Sequence, residues 1–541
     1  MTRTTDGETT AEPGGDHFAD VVGLLSDPAT YRRLSSVPAS EVDVRETHGA
    51  LVFIAGDVAL KIKRPVRLSY LDFSTRARRE AAIRRELEVN RTNAPDIYRD
   101  VVAITEAADG TLALAGAGTP IEWALLMRRF PPGSLISEMA AAGNVPPGLG
   151  KALGEMAAAM HRRLAVVDDR AAPSRLAGVV ASIVAHLDGV PQFAERGRRF
   201  ANEVRVRLAA AMPLLENRVA AGRVRRCHGD LHLANLVWLD SQPIAFDAIE
   251  FDEALATIDV LYDIAFTLMD LERFGLAGEA NALLNRWLWR SGLAIDLDGL
   301  ALLPLLLSLR AGVRAMVTVD RAGQIEDAAA RQTAHDEAAA YLDRALAYLT
   351  PPPPALIAVG GLSGTGKSTL AAALAPALGA APGAVHLRSD LERKALFEAD
   401  ELDRLGAEAY GQPATRATYL RLDARAKHVL TTGHAVIVDA VFAREDERRA
   451  IADAAEKARV PFLGLWLAAP DDVLKQRVAD RRGDASDATV AVVEAQLGRD
   501  AGEIDWQVIA AGGDADATLA EARRQIGIHL AEHLRAIAQR R

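Results

Sequence analysis

An α+β domain followed by an α/β domain with a parallel sheet is the fold the sequence predicts, on three observations. From Val42 to Ile62 apolar residues alternate with period two, and the chain then turns mostly helical as far as Leu349. Pro351 to Pro354 is an uninterrupted proline run. Beyond it an apolar strand, a glycine-rich loop and an Ala/Leu-rich helix open a strand–helix alternation, the pattern of a parallel sheet flanked by helices. A proline run cannot be helix and favours a stiff extended form, so it marks the domain boundary. The domains are expected at 17–349 and 355–541, with a linker at 350–354. Residues 1–16, rich in Thr, Gly and Asp, are expected to be disordered.

The bulk properties agree. A chain of 541 residues is too long for one ordinary core. With 50% hydrophobic and 25% charged residues it reads as a soluble globular protein. Its formal net charge of −10 argues against a nucleic-acid-coating or membrane-surface protein. One cysteine, Cys227, excludes an internal disulfide and a multi-cysteine metal site, and it fits a reducing cytoplasm. The start of the chain lacks the basic and apolar regions of a signal peptide. The longest apolar run, Leu300 to Leu309, ends at Arg310, is too short to span a bilayer, and reads as a buried helix.

In chain order, strands are expected at Val42 to Thr47, Leu51 to Ala55 and Val58 to Ile62, with turns at His48-Gly49 and Gly56-Asp57. A long charged helix follows from Ser74 to Arg91. Val101 to Thr105 and Thr111 to Ala115 form a hairpin around Asp109-Gly110, and Trp123 to Met127 is a further strand. Helices are expected at Leu149 to Val166, Gly178 to Leu187 and Phe193 to Val219, where apolar residues recur at three and four. Strand-like runs interrupt at Arg223 to Cys227, Asn235 to Leu239 and Pro243 to Phe246. Helices resume at Thr257 to Glu272. After the prolines come strands at Ala355 to Val359, Ala384 to Leu387, Ala435 to Asp439 and Phe462 to Leu467. Helices alternate with them at Thr369 to Leu378, Asp390 to Leu430, Glu445 to Lys457 and Asp471 to Asp480, followed by terminal helices.

The glycine-rich loop is Gly361-Leu362-Ser363-Gly364-Thr365-Gly366-Lys367-Ser368, with Thr369 next. It fits G-x-x-x-x-G-K-[ST]. Glycines let backbone N–H groups curl around a phosphate. Lys367 offers a point charge to the outer phosphates, Ser368 a hydroxyl to Mg²⁺, and the helix its positive end. Asp390 ends the next strand, where ligands gather in an open α/β sheet, and could accept a proton from a substrate hydroxyl. Arg393 or Lys394 could hold an anionic substrate. Val436 to Asp439 ends in a carboxylate, as a Walker B strand does, where Asp439 would hold Mg²⁺ through water. Arg477, Arg481 and Arg482 lie on and after a late helix; resemblance to small P-loop kinases, whose lids carry arginines over the transferring phosphate, makes them lid candidates, with Arg444 a weaker one.

A second set lies upstream. Cys227-His228-Gly229-Asp230-Leu231-His232-Leu233-Ala234-Asn235 sits between strand-like runs and places a carboxylate and an amide five apart; Asp247 ends the next apolar strand. Such a set suits phosphoryl transfer, one carboxylate acting on the acceptor hydroxyl and the others holding Mg²⁺. His228 and His232 have zinc-pair spacing without a third ligand in view. His161 reads as core.

His228-Gly229-Asp230-Leu231-His232 with Asn235 resembles the H-G-D-x-H-x-x-N motif of the aminoglycoside phosphotransferase and choline kinase group, which shares the bilobal protein-kinase-like fold. The resemblance implies that Asp230 is the catalytic base and that Asn235 and Asp247 hold Mg²⁺. Val58-Ala59-Leu60-Lys61 resembles the kinase V-A-I-K, so Lys61 would pair the phosphates of ATP. Lys63, two residues on, faces the same side. Glu86 is the expected ion-pair partner of Lys61, with Glu80 second. Met127 to Arg129 would be the hinge beside adenine, and Asp263 would brace the catalytic loop. Two departures stand out: no G-x-G-x-x-G lies between the first strands, and Asp247-Ala248-Ile249-Glu250 replaces Asp-Phe-Gly. The second half, about 355–511, is similar to small P-loop kinases such as gluconate kinase, zeta toxin, chloramphenicol phosphotransferase and the kinase part of phage polynucleotide kinase.

The expected function is therefore an ATP- and Mg²⁺-dependent phosphotransferase with two nucleotide sites, acting on hydroxyls of small molecules. One alternative makes one half a nucleotide-sensing module for the other. Another makes the second half a nucleic-acid 5′-hydroxyl kinase.

Overall fold

The computed structural model of the protein describes residues 17–47, 49–68, 71–499 and 501–540. The segment 1–16, expected to be disordered, and His48 in the first turn lie outside them. The chain forms two compact units. One runs to Met139 and includes His228–Asp230 and Ala234–Ala256; the other holds Ala140–Cys227, Leu231–Leu233 and everything from Thr257.

The first unit is built on a six-stranded sheet in the order Asp43–Glu46, Ala50–Ala55, Val58–Lys63, Thr119–Arg128, Tyr98–Glu106, Leu112–Leu114. Every pairing in it is antiparallel. Alternation puts Phe53, Leu60 and Ile62 into a core closed by Val21, Leu25 and Tyr31. The helix Arg76–Arg91, capped by the Thr75 hydroxyl on Arg78 N–H, buries Arg79, Ile83, Glu86 and Asn90. That face has helical spacing but is mostly polar. Each polar group has a partner: Arg79 donates to Glu122 at 2.7 Å, Asn90 Oδ1 accepts from Ala248 N–H at 2.8 Å, and Glu86 pairs with two lysines. A hairpin pairs Leu236–Leu239 with Gln242–Ala245, turning at Asp240 and Ser241 with positive φ.

The second unit combines a helical array with a five-stranded sheet, entirely parallel, in the order Val385–Arg388, Val436–Asp439, Leu356–Gly361, Phe462–Ala468, Gln507–Ala510. Buried Ile357, Val359, Ile437 and Leu465 form its core with Leu370 and Leu374 of the helix Lys367–Leu374. Two expectations change here. The helix expected from Thr257 begins at Val260, because Thr257–Asp259 pairs as a strand with Val224–Arg226 and Asp259 caps the helix through Leu261 N–H. The helices expected between Asp390 and Leu430 are Ser389–Leu396 and Gln412–Thr431, the second starting with proline in its first turn. The strand Gln507–Ala510 was not expected, since only Ile509 in it is buried. The stretch Ala294–Gly323 is long and apolar enough to cross a bilayer by length and composition, and 67% of its apolar window is buried inside the protein, as in a core helix.

Candidate functional site

In the first unit, Lys61 and Lys63 lie on one strand face and share one carboxylate. Lys61 Nζ is 2.7 Å from Glu86 Oε1, and Lys63 Nζ is 2.7 Å from Glu86 Oε2. Glu86 is fully buried. Lys61 also lies 2.8 Å from Asp247 Oδ1, and Lys63 2.6 Å from Glu250. Glu80, the second candidate partner, instead pairs with Arg84 one turn along. Burial opposes the charge on Lys61, but Asp247, Glu86 and Glu250 hold it charged well above the usual lysine range. Burial likewise opposes Glu86, and Lys61 and Lys63 pull it below the usual range. Glu250 is pushed up by burial and by Glu86.

Asp247 is the accessible member of the cluster, its side chain 42% exposed. It has φ of 61°, a left-handed conformation that a non-glycine residue rarely adopts. Its N–H donates to Tyr98 Oη at 2.9 Å, and Asn90 anchors the next residue, so the strain is held in place. The surroundings disfavour its charge, but Lys61 keeps its carboxyl below the ordinary range. The loop His228–Asp230 docks on the same segment: His228 Nε2 lies 2.9 Å from Phe246 O, and Ile249 N–H donates to His228 O. Gly229 has φ of 83°, and a Cβ there would meet Ile249 Cδ1 at 2.9 Å. Asn235 Nδ2 donates to Asp230 O at 2.9 Å and Asp230 Oδ2 at 3.0 Å. That orientation leaves the amide oxygen as the atom for a cation. Two lysines against Glu86, Asp247 and Glu250 give a net charge of −1, and the available donors are hard oxygens, so the set fits Mg²⁺.

In the second unit, the helix Val260–Arg273 holds the segment Leu231–Leu233. Thr267 Oγ1 donates to Leu231 O at 2.6 Å, and Leu233 N–H donates to Asp270 at 3.0 Å. Asp263 on that helix is fully buried and lies 3.1 Å from His161 Nε2. Trp287 Nε1 donates to His161 Nδ1, so the ring proton sits on Nε2 and points at Asp263. His161, Cys227 and Asp263 come within 4.8 Å of one another. Both ring nitrogens are already engaged, and burial pushes the Cys227 thiol up, so this trio is a packing contact.

The phosphate-binding loop bends tightly between the strand Leu356–Gly361 and the helix Lys367–Leu374. Gly364 has φ of 91°, and a Cβ there would meet Leu474 O at 2.7 Å. Lys367 Nζ donates to Leu362 O at 2.9 Å. Burial, with Arg481 and Arg388 adding to it, lowers the Lys367 pKa against the opposing pull of Asp439 and Asp390. Ser368 Oγ lies 3.2 Å from Asp439 Oδ1, a pair of hard oxygens that suits Mg²⁺. Asp390 is raised by burial and by Asp439. Asp439 is opposed by burial, yet His386, Arg388 and Lys367 bring it below the usual range.

Other expected residues are turned elsewhere. Arg477 donates to Ala511 O at 2.7 Å and Gly513 O at 3.3 Å, which ties it to a backbone turn rather than to a lid. Arg482 donates to Ala479 O and Arg481 O. Arg393 is buried on Ala409 O, and Lys394 on Asp403 O and Asp487, so neither is free for a substrate anion. Arg444 pairs with Asp446 at a helix start. Arg481 remains, its charge felt by Lys367. Sequence reasoning missed His386, whose Nε2 is 2.6 Å from Asp439 Oδ2, and Gln496, which accepts from Ser363 N–H at 2.8 Å. It also missed Glu250 as the partner of Lys63. No motif marks these residues; only the approach of distant segments does.

Residues 45–303 match the model of the phosphotransferase enzyme family, and residues 356–500 match that of an AAA domain. The uncharacterized protein Rv2004c of Mycobacterium tuberculosis is 29% identical over 476 residues, covering 86% of this chain and 91% of its own. Among solved structures, a choline/ethanolamine kinase family protein from Mesorhizobium loti is 16% identical, covering 61% of this chain and 98% of its own at a TM-score of 0.35. A gluconokinase from Sinorhizobium meliloti is 22% identical, covering 34% and 95% at a TM-score of 0.23. The chain thus matches two family models in succession, that of the phosphotransferase enzyme family and, over the P-loop region with its parallel sheet, that of an AAA domain.

Proposed function

We propose that the protein is an ATP- and Mg²⁺-dependent phosphotransferase with two nucleotide sites, each acting on a hydroxyl of a small molecule in a reducing cytoplasm. The observation that carries this reading is the doubled set of buried lysine, oxygen ligands and candidate base. In the first site Lys61, held by Glu86, would pair the phosphates of ATP. Asn235 and Asp247 would hold the metal, and Asp230 would take the acceptor proton. In the second, the backbone of Gly361–Ser368 and Lys367 would cradle the phosphates, with Thr369 behind them in the helix. Ser368 and Asp439 would hold the metal, Arg481 would approach the transferring group, and Asp390 would be the base. When bound, magnesium neutralises phosphate charge. The test is a phosphorylation screen of a metabolite library with ³¹P detection, on the whole chain and with each site disabled. If Asp230→Asn and Lys367→Ala both left ATP turnover untouched, the reading would fall.

Two outcomes are expected at the second site. Lys367→Ala removes a charged hydrogen-bond donor from a buried phosphate site, so ATP affinity there is expected to fall about 10–100-fold, checked by equilibrium binding. The Asp390 carboxyl is raised by burial and by Asp439, so its base form is lost at a higher pH than for an ordinary aspartate as pH falls. The acidic limb of kcat/KM at this site is expected above the ordinary carboxylate range, and absent in Asp390→Asn. An unchanged limb in that variant would remove Asp390 from the base role.

A further inference from the structure

The strand Val385–Arg388 is the outer strand of the parallel sheet, paired on one side only with Val436–Asp439. Its other side meets the helix Ala277–Ser291, which belongs to the phosphotransferase-family match. Asn285 Oδ1 accepts from His386 N–H at 2.7 Å, and Asn285 Nδ2 lies 3.3 Å from Ala384 O. Asn281 Nδ2 donates to the same carbonyl at 3.0 Å. The two amides sit one helical turn apart and take the place of a neighbouring strand. Further along the helix, Trp289 Nε1 reaches Leu391 O at 3.4 Å, Arg286 pairs with Glu401 at 2.8 Å, and Arg290 pairs with Asp400. The outer strand is therefore fixed in place by a helix from another region of the chain.

What this strand carries is His386. Its side chain crosses to the next strand and lies 2.6 Å from Asp439 Oδ2, with both groups almost buried. An ionised carboxylate only accepts, so the imidazole presents its Nε2 proton. Ser368 Oγ is at the other oxygen, 3.2 Å from Oδ1. Rotation of a carboxylate about its last bond is soft and roughly two-fold. Fixing Oδ2 on His386 leaves Oδ1 as the oxygen that faces Ser368.

We propose that His386, anchored through its backbone by Asn285, is a positioning residue that orients Asp439 for the metal–nucleotide complex of the second site. This rests on the reading of Gly361–Ser368 as a nucleotide site. Hydrogen-bonding partners of metal-binding carboxylates set metal affinity by about 10–100-fold. The helix Ala277–Ser291 thereby contributes to that site through His386.

The experiment uses the full chain and the fluorescent nucleotide mant-ATP, titrated with Mg²⁺, and follows the part of the signal that Lys367→Ala abolishes. His386→Leu is expected to raise the Mg²⁺ concentration at half-saturation at least about tenfold, with metal-free mant-ATP affinity unchanged. His386→Gln, whose amide can donate from a similar position, is expected to recover most of that loss. Asn285→Ala shifts the requirement in the same direction by a smaller factor. Thermal melting of each variant checks folding, and Asn285→Ala with His386→Gln carries the test should the leucine variant not fold. A wild-type Mg²⁺ requirement in His386→Leu, or a glutamine variant as damaged as the leucine one, overturns the positioning role. An unshifted Asn285→Ala overturns the part assigned to the helix. Equal mant-ATP binding by wild type and Lys367→Ala overturns the nucleotide-site reading itself, and the proposal with it.

Discussion

Asp230→Asn is expected to lower phosphoryl transfer at the first site about 10²–10⁴-fold, the usual worth of a positioned general base. The substitution is nearly isosteric and keeps an oxygen able to accept from Asn235 Nδ2, which now reaches Asp230 at both its carbonyl and its carboxylate. Lys61, Glu86 and Asp247 are bonded among themselves without Asp230, so Mg·ATP binding is expected to stay near wild type. Loss of turnover with retained binding is the signature of a group used in the transition state. The measurement is acceptor phosphorylation in a chain that also carries Lys367→Ala, which silences the second site. Transfer at the wild-type rate would leave Asp230 out of the chemistry.

The largest stability effect is expected at Arg218, which is fully buried. Its Nε and Nη2 form a two-pronged pair with Asp259, each at 2.7 Å, and Nη1 donates to Ile295 O at 2.6 Å and Asp296 at 3.2 Å. Arg223 meets Asp296 from the other side at 2.8 Å. Arg218→Ala leaves two buried carboxylates against one arginine, and breaking a buried pair in this way costs about 3–5 kcal/mol. Asp259 also caps the helix that holds Leu231 and Leu233, so the loss spreads to that segment. Urea unfolding should show a lower midpoint. A midpoint within experimental error of wild type would mean that the site relaxes around the missing guanidinium.

What was legible in the sequence follows from which forces are local. Val58–Lys63 and Phe462–Ala468 declared themselves because alternation or an apolar run fixes a strand regardless of its neighbours. Asp471–Asp480 did so by helical spacing. The phosphate loop was plain because its glycines answer a local backbone demand. Glu86 was harder, since the buried face of its helix is polar and carries little amphipathic signal. The choice between Lys61 and Lys63 stayed open because a period of two puts both on one face, and the structure has them share one carboxylate. His386 was invisible, because its meaning lies in a strand that arrives some fifty residues later, as Asp439 does. Arg477 misled for the converse reason: a helical arginine near a candidate lid gives no sign of the carbonyls at Ala511 and Gly513 that claim it.

The two asparagines on the outer strand also bear on how the chain can be divided. Pro351–Pro354 invites a cut, yet the carbonyl of Ala384 and the amide of His386 are satisfied by side chains that lie upstream of it. A P-loop fragment released there would expose these ladder groups on the outer edge of a short strand. Unpaired edges of that kind recruit another chain, and so promote aggregation or strand exchange. The helix Ala277–Ser291 thus covers an edge that a fragment cut free at Pro351–Pro354 would present, and such a fragment is expected to self-associate more readily than the whole chain.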